Sequence, residues 1–436
     1  MKSIKLTRNP YLLFLPFLIL YIVVVLLLNN DVLEGDEQGY IFFTNNLLHG
    51  YYSPPEPNID LWWGPGYPIL LVPFLFFKLP LISITLANAI FQYLSIVFLF
   101  KAMMYFVKFQ NAVIFSLFWA FCYSSYPTIA TIYAESFALF LISLFLYSVI
   151  RTFLTGSNKH LYLAGFLLGY LTLTKVLFGY VIFILFIGFI LLWLTNRNNK
   201  NYRRSILIMA LAILTTIPYL FYTYNLTGRM LYWGNSGGTS LYWMTSPYEN
   251  ENGAWESETF RANEKKGDTY ISMQGDTGTN ISTQLLKLNH QKDYEEILKY
   301  NGVQKDDVYK KIAVNNIKTH PVKYLKNITA NLSRVFFSFP NNFMFEHTIL
   351  KIWYFAVLFT LMLFCFISSI VNWRKIPYSV GFVLVIAFLY LAGISLLSAV
   401  NRYFIVILPL LLFWIAYVID KLGTLKIRFD DDINPD

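Results

Sequence analysis

The first long apolar run of the chain reads YLLFLPFLILYIVVVLLL, Tyr11–Leu28, and it ends in NNDVLEGDEQGY, Asn29–Tyr40. A helix rises about 1.5 Å per residue, so a run of this length spans most of a hydrocarbon core. Lys2, Lys5 and Arg8 precede it, and no small-residue cleavage site follows. The run exceeds a signal-peptide core, and the expectation is a retained first span acting as a signal anchor. Directly beyond it stand two adjacent carboxylates, Asp36 and Glu37.

Comparable apolar runs lie at Ile82–Val107, Ala112–Tyr126, Phe137–Leu154, Leu161–Thr174, Phe178–Leu194, Ile206–Tyr224, Ile349–Val371, Val380–Leu397 and Phe404–Ile419. Charge parity tests this count of about ten. With the N-terminus inside, the inner connections hold Lys101 and Lys108, Arg151 and Lys159, Arg197, Lys200, Arg203 and Arg204, Arg374 and Lys375, and Lys421, Lys426 and Arg428. All clusters fall on one side, as the positive-inside rule requires, and one missed span would break the agreement for everything downstream.

Composition agrees. Of 436 residues 56% are hydrophobic and 14% charged, where a soluble chain carries roughly a quarter charged residues. The net charge of +9 is explained by the inner clusters, so nucleic acid is not the expected partner. Cys122 and Cys365 lie inside apolar runs and read as small buried hydrophobes, not as a disulfide framework or metal site. The expected fold is all-α and polytopic, with two long outer segments. One is Asn29–Trp63. The other is Leu226–Glu346, a small cap whose first half reads as loop or small sheet, with helices expected at Ile281–Tyr300, Asp306–Lys318 and Val322–Phe337. The domain limits are therefore 1–225, 226–346, 347–425, and a cytoplasmic tail, 426–436.

Few residues carry chemistry. Asp36 and Glu37 sit at the surface, with Tyr40 and Thr44 following at helical spacing. One carboxylate of such a pair accepts the proton of an attacking hydroxyl, and the other orients a substrate or holds a divalent cation; a solvated turn or a helix N-terminal acid is the structural alternative. Trp62, Trp63 and Tyr67, around Gly64-Pro65-Gly66, suit an interfacial anchor or a wall guiding a lipid-linked substrate. Glu135 begins an apolar run, where a carboxylate is paired, metal-bound or facing water, or else serves as a helix N-terminal acid. Lys175 and Arg402 stand on the outer side, against the positive-inside trend, where cations suit a lipid phosphate or snorkel to headgroups. His320 opens a helix and is given no catalytic role; no phosphate loop, HExxH zinc motif or CxxC pair is present. Asn225, Asn280, Asn327 and Asn331 head glycosylation sequons, which matter only in a eukaryotic secretory setting.

In order and placement these segments resemble the GT-C superfamily of integral-membrane glycosyltransferases, in its bacterial protein-O-mannosyltransferase-like and aminoarabinose-transferase-like branches. The matching features are Asp36-Glu37-Gln-Gly-Tyr40, Leu47-Leu48-His49-Gly50, Gly64-Pro65-Gly66-Tyr67-Pro68, Ala134-Glu135, Gly165 and Gly169 followed by Lys175, and Arg402-Tyr403 with Pro409. Lys175 stands where many relatives have Arg, Trp62-Trp63 replaces paired prolines, and Leu226–Asn316 matches nothing in the family.

The resemblance implies transfer of a sugar from a polyprenyl-phosphate donor to a hydroxyl on a glycan, lipid or protein acceptor, with inversion, on the outer face of a bacterial plasma membrane. It makes 29–65 the catalytic outer loop, Asp36 the general base and Glu37 its supporting carboxylate. Tyr40 and Tyr403 line the substrate, and Glu135 positions substrate or, with Asp36, holds a divalent cation such as Mg or Mn. Lys175 and Arg402 neutralise the departing phosphate. Two other classes remain open. A polysaccharide polymerase or ligase would depend on outer arginines, with Arg229, Arg261 and Arg334 as candidates. A transporter or flippase would carry charges at mid-membrane, which the runs lack, and duplicated halves, which the sequence does not display.

Overall fold

The computed structural model describes residues 9–28, 32–256, 280–342 and 349–422, the side chains of 123, 280–284 and 349–355 excepted. Lys2, Lys5, Arg8, Arg261, Lys426, Arg428 and the 426–436 tail lie outside these residues. Among the described residues the regular structure is helical, without strands.

The membrane part comprises α1 (Leu15–Leu28), α2 (Asp36–Leu48), α3 (Gly66–Phe76), α4 (Ile82–Met103), α5 (Phe109–Ala120), α6 (Glu135–Thr155), α7 (Asn158–Thr174), α8 (Leu177–Thr195) and α9 (Lys200–Thr227). The outer segment holds α10 (Gly237–Met244), α11 (Asn280–Ile297), α12 (Gly302–Thr319) and α13 (Pro321–Phe337). The chain then returns through α14 (Ile349–Val371), α15 (Tyr378–Ser395) and α16 (Asn401–Lys421). Six of these, α4, α6, α8, α9, α15 and α16, are long and apolar enough to cross a membrane. Each of the ten expected spans contains a helix, but α1, α5, α7 and the apolar part of α14 are shorter. The expected span Ala112–Tyr126 is broken: α5 stops at Ala120, and a 3₁₀ turn at Tyr123–Ser125 leads into a second short helix, Tyr126–Ile129, with Pro127 in its first turn. Helix α3 was not expected; at 11 residues it reaches only about 16 Å, too short to cross.

Helix α16 is buried without interruption from Phe404 to Val418, which puts it at the centre of the bundle. Helix α8 instead exposes Tyr180, Ile184, Ile187 and Leu191 at helical spacing, an apolar face suited to lipid. Gly165 and Gly169 let α7 lie against α9, because a Cβ at either would collide with Leu211 or Thr215.

The basic connections meet at one end of this bundle. Lys101 lies 4.9–5.2 Å from the rings of Tyr11, Phe98 and Tyr147. Arg151 donates to the Tyr105 hydroxyl, Arg204 reaches Gly156, and Tyr417 donates to the Lys375 carbonyl. In three dimensions the clusters share a face, as charge parity expects.

The described part of the outer segment is helix and loop, so the small sheet considered for its first half is not found there. Its three later helices fall within four residues of expectation. Tyr242, Trp243, Leu286, Tyr294, Ile297 and Tyr309 form its core. Asp306, wholly buried, accepts from the Gly238 N–H at 2.6 Å and from Lys310 at 2.5 Å, and Arg229 grips Asp307 through both carboxylate oxygens.

Candidate active site

Four charged side chains from four separate elements meet at the bundle end opposite the basic clusters. Gly35 takes a positive φ of 54° and turns the chain into α2, so Asp36 becomes its first residue. Glu135 is the first residue of α6. Lys175 caps the C-terminus of α7 in extended backbone, and Arg402 is the second residue of α16. Asp36 and Glu135 at helix N-termini and Lys175 at a C-terminus all suit the helix dipole. Arg402 does not: a cation in the first turn opposes the dipole. Its place is explained by the two acids it faces.

The Arg402 Nη1 is 2.5 Å from Asp36 Oδ2, and its Nε is 4.0 Å from Glu135 Oε1. Lys175 Nζ donates to the same Glu135 oxygen at 2.8 Å. Glu135 is buried to 1% exposure, and its Oε2 has no hydrogen-bond partner. The Asp36, Lys175 and Arg402 side chains stay 20%, 12% and 27% exposed, so the cluster is not sealed off. The Arg402 guanidinium also lies over the rings of Tyr133 and Tyr403, at 5.3 and 5.8 Å.

Glu37 takes a different position from Asp36. Its carboxylate accepts the N–H of Glu34 at 3.0 Å and of Ile132 at 2.7 Å. It thereby pins the segment leading into Glu135 against the start of α2. Tyr40 is buried beneath Asp36, with Tyr67 and Trp63 rings 5.0 and 5.5 Å away.

The segment Trp62–Pro68 departs from the interfacial-anchor expectation. Tyr67 is fully buried and its hydroxyl faces Asn88 at 3.4 Å. Trp63 covers Gly39, and only Trp62 and Trp63 keep partial exposure. The cause is the glycine pair: a Cβ on Gly64 or Gly66 would run into Leu173 and Thr174, so only glycine lets this loop dock on the end of α7 that carries Lys175. Beyond the Pro65 turn a cavity of about 350 Å³ is lined by Tyr51, Tyr52, Leu173, Tyr219 and Tyr222 among others, none of them a charged residue. The charged cluster, not this cavity, holds groups that can move a proton or carry an anion.

The donor set does not suit a resident divalent cation. No group of three or more His, Cys, Asp or Glu side chains with metal-binding geometry occurs among the described residues. Asp36 and Glu135, the expected metal ligands, each already face a cationic side chain, which would repel a metal ion.

Of the arginines on which a polymerase would rely, Arg229 forks onto Asp307 and Arg334 is buried among backbone carbonyls, while Arg261 lies outside the described residues. Asn327 and Asn331 are likewise buried, with side-chain amides bonded to backbone carbonyls, so neither sequon presents a free amide. The Ile132 N–H that holds Glu37, and the main-chain partners of Asn331 and Arg334, are not legible in the sequence, because each contact joins groups remote in the chain. Tyr133 was foreseeable in principle, lying two residues before Glu135.

No protein-family model matches the chain, and no curated protein matches it. Among solved structures it is similar to the crystal structure of ArnT from Cupriavidus metallidurans bound to undecaprenyl phosphate, at 12% identity, covering 92% of this chain and 76% of that one with a TM-score of 0.39. A likeness at that level is one of outline, and the chemistry of this chain rests on its own residues.

Proposed function

We propose that this chain is a membrane glycosyltransferase that moves a sugar from a polyprenyl-phosphate donor to an acceptor hydroxyl, with inversion, on the extracytoplasmic face of the plasma membrane. The observation that carries the reading is the convergence of Asp36, Glu135, Lys175 and Arg402 at the bundle end opposite the basic clusters. Those clusters mark the inner side by the positive-inside rule, so the site faces outward. Two carboxylates beside two cations, at the level where a lipid headgroup sits, offer a base for a hydroxyl and a seat for a phosphate.

Asp36 takes the acceptor proton as the acceptor oxygen attacks the anomeric carbon. The bond from that carbon to the phosphate oxygen breaks, and its electron pair leaves with the lipid phosphate. Arg402 and Lys175 take up the growing negative charge. Arg402 begins on Asp36, so a phosphate must compete for it, and on winning it leaves Asp36 free as a base. Donor binding and base release become one event. The unpartnered Oε2 of Glu135 accepts a hydroxyl of the donor sugar or acceptor, and Glu37 and Tyr40 hold the segment around Asp36.

Mass spectrometry of glycans and lipid-linked sugars from cells carrying the wild-type chain or Asp36→Asn tests this reading. A polyprenyl-phosphate monosaccharide that accumulates, with one glycan lacking a single sugar, is the expected result. Unchanged donor with shifted glycan chain lengths would contradict it.

A further inference from the structure

Resting on the glycosyltransferase reading, we infer that Asn331 and Arg334, on the outer helix α13, are positioning residues that set Arg402 against Asp36 and Glu135. Arg402 follows a short connection between α15 and α16, and several of the polar backbone groups there turn to α13 for partners, while the Ser398 N–H donates to the Ser240 carbonyl of α10 at 3.1 Å. Asn331 Nδ2 donates to the carbonyls of Ile394, Ser395 and Leu397 at 2.9, 3.1 and 2.8 Å. Its Oδ1 accepts the Ala399 N–H at 3.0 Å. Arg334 Nε donates to the Ala399 carbonyl at 3.1 Å, and the Tyr324 hydroxyl to that of Leu396 at 3.1 Å. The first residue of α16, Asn401, reaches back to the Val335 carbonyl at 2.7 Å. Side chains of α13 thus hold the chain from Ile394 to Ala399, and Asn401 adds its own side chain to the α13 main chain.

That helix is itself fixed to the outer segment. The other donors of Arg334 go to the carbonyls of Asn252, Pro340 and Gly253 at 3.2, 2.8 and 2.9 Å and to Asn331 Oδ1 at 3.0 Å. All five guanidinium N–H groups are used. Asn327 ties the same helix to Met244 and Ser246 at 3.0 Å each. Water could satisfy the carbonyls of the connection equally well, but it would not hold them in one place. The guanidinium of Arg402 needs such a hold, since it opposes the dipole of its own helix and must meet a carboxylate in one state and a phosphate in the other. A displacement of about 1 Å at a reacting site can cost on the order of 100-fold.

The test uses the purified full-length chain and a polyprenyl monophosphate in detergent micelles as probe. Affinity and Tm are measured for wild type, Asn331→Ala, Arg402→Ala, their double variant, and Tyr324→Phe. Asn331→Ala is expected to weaken binding about 10-fold, and to weaken it no further in the Arg402→Ala background, because the two residues act through one guanidinium. A merely structural role would instead give an additional loss in that background. Tyr324→Phe, which removes one hydroxyl from a half-buried ring, should weaken binding about 2-fold at unchanged Tm. It decides the matter if Asn331→Ala does not fold. Wild-type affinity in both Asn331→Ala and Tyr324→Phe, with Arg402→Ala impaired, overturns the positioning role alone. Wild-type affinity in Arg402→Ala overturns the phosphate-binding reading beneath it.

Discussion

At the end of the bundle opposite the basic clusters, Asp36 meets Arg402 through one 2.5 Å contact and Glu135 leaves an oxygen unpartnered. In the outer segment, Arg334 places every donor, and Glu251 accepts from Ser246, from Asn289 at 2.8 Å and from His290 at 2.9 Å. Both regions remove charge from water, and both need partners to do so. The outer network is saturated, so any exchange of partners would strand a buried group. The bundle cluster is unsaturated and partly open, so a phosphate or a hydroxyl can enter and exchange partners without stranding one. On the proposed reading, saturation suits a support and unused hydrogen-bonding capacity suits a reaction site.

The sharpest way to break this contrast is to remove one charge from each region. Asp36→Asn should lower transfer by about 100- to 10,000-fold, the range of a general base, with Tm and membrane insertion unchanged. Arg402→Ala should cost about 100- to 1,000-fold, as loss of one group stabilising the developing charge does, and Arg402→Lys should recover part of it. In the outer segment the damage falls mainly on stability. Arg334→Met should destabilise the fold by roughly 3 kcal/mol or more through stranded carbonyls, seen as a lower Tm. Gly66→Ala is a smaller case, about 1–3 kcal/mol for overpacking against Thr174, again read from Tm.

Acid sharpens the comparison further. Burial works to raise the Glu251 carboxyl, but the hydrogen bond and charge of His290, with Ser246 and Asn289, hold it below its ordinary 4.5. Its contribution is therefore complete above that value and is lost as pH falls through the lower, folded value. Hydrogen exchange of α11, which carries Asn289 and His290, should quicken in that acid range, and Glu251→Gln should remove the pH dependence.

Much of the helical order was legible in the sequence, since apolar runs and basic clusters report hydropathy and charge directly. The breaks were not: α5 ends early and α3 exists because of local turns and prolines inside apolar composition. Asp36, Glu135, Lys175 and Arg402 could each be picked out as charges at membrane borders. Their pairing was not readable, because it depends on which helix ends the bundle brings together. Tyr67 read as a headgroup residue because composition cannot distinguish an aromatic in the interface from one buried under a loop that two glycines allow to dock. Asn327 and Asn331 read as sequons, whereas their amides serve the main chain.

The claim at the centre is that Arg402 exchanges Asp36 for a lipid phosphate. Binding of a polyprenyl monophosphate to purified Asp36→Asn tests it most directly. Asn cannot hold the guanidinium by charge, so the account predicts affinity equal to or several-fold tighter than wild type while transfer is lost. Weaker binding in Asp36→Asn, or transfer that persists, would contradict it.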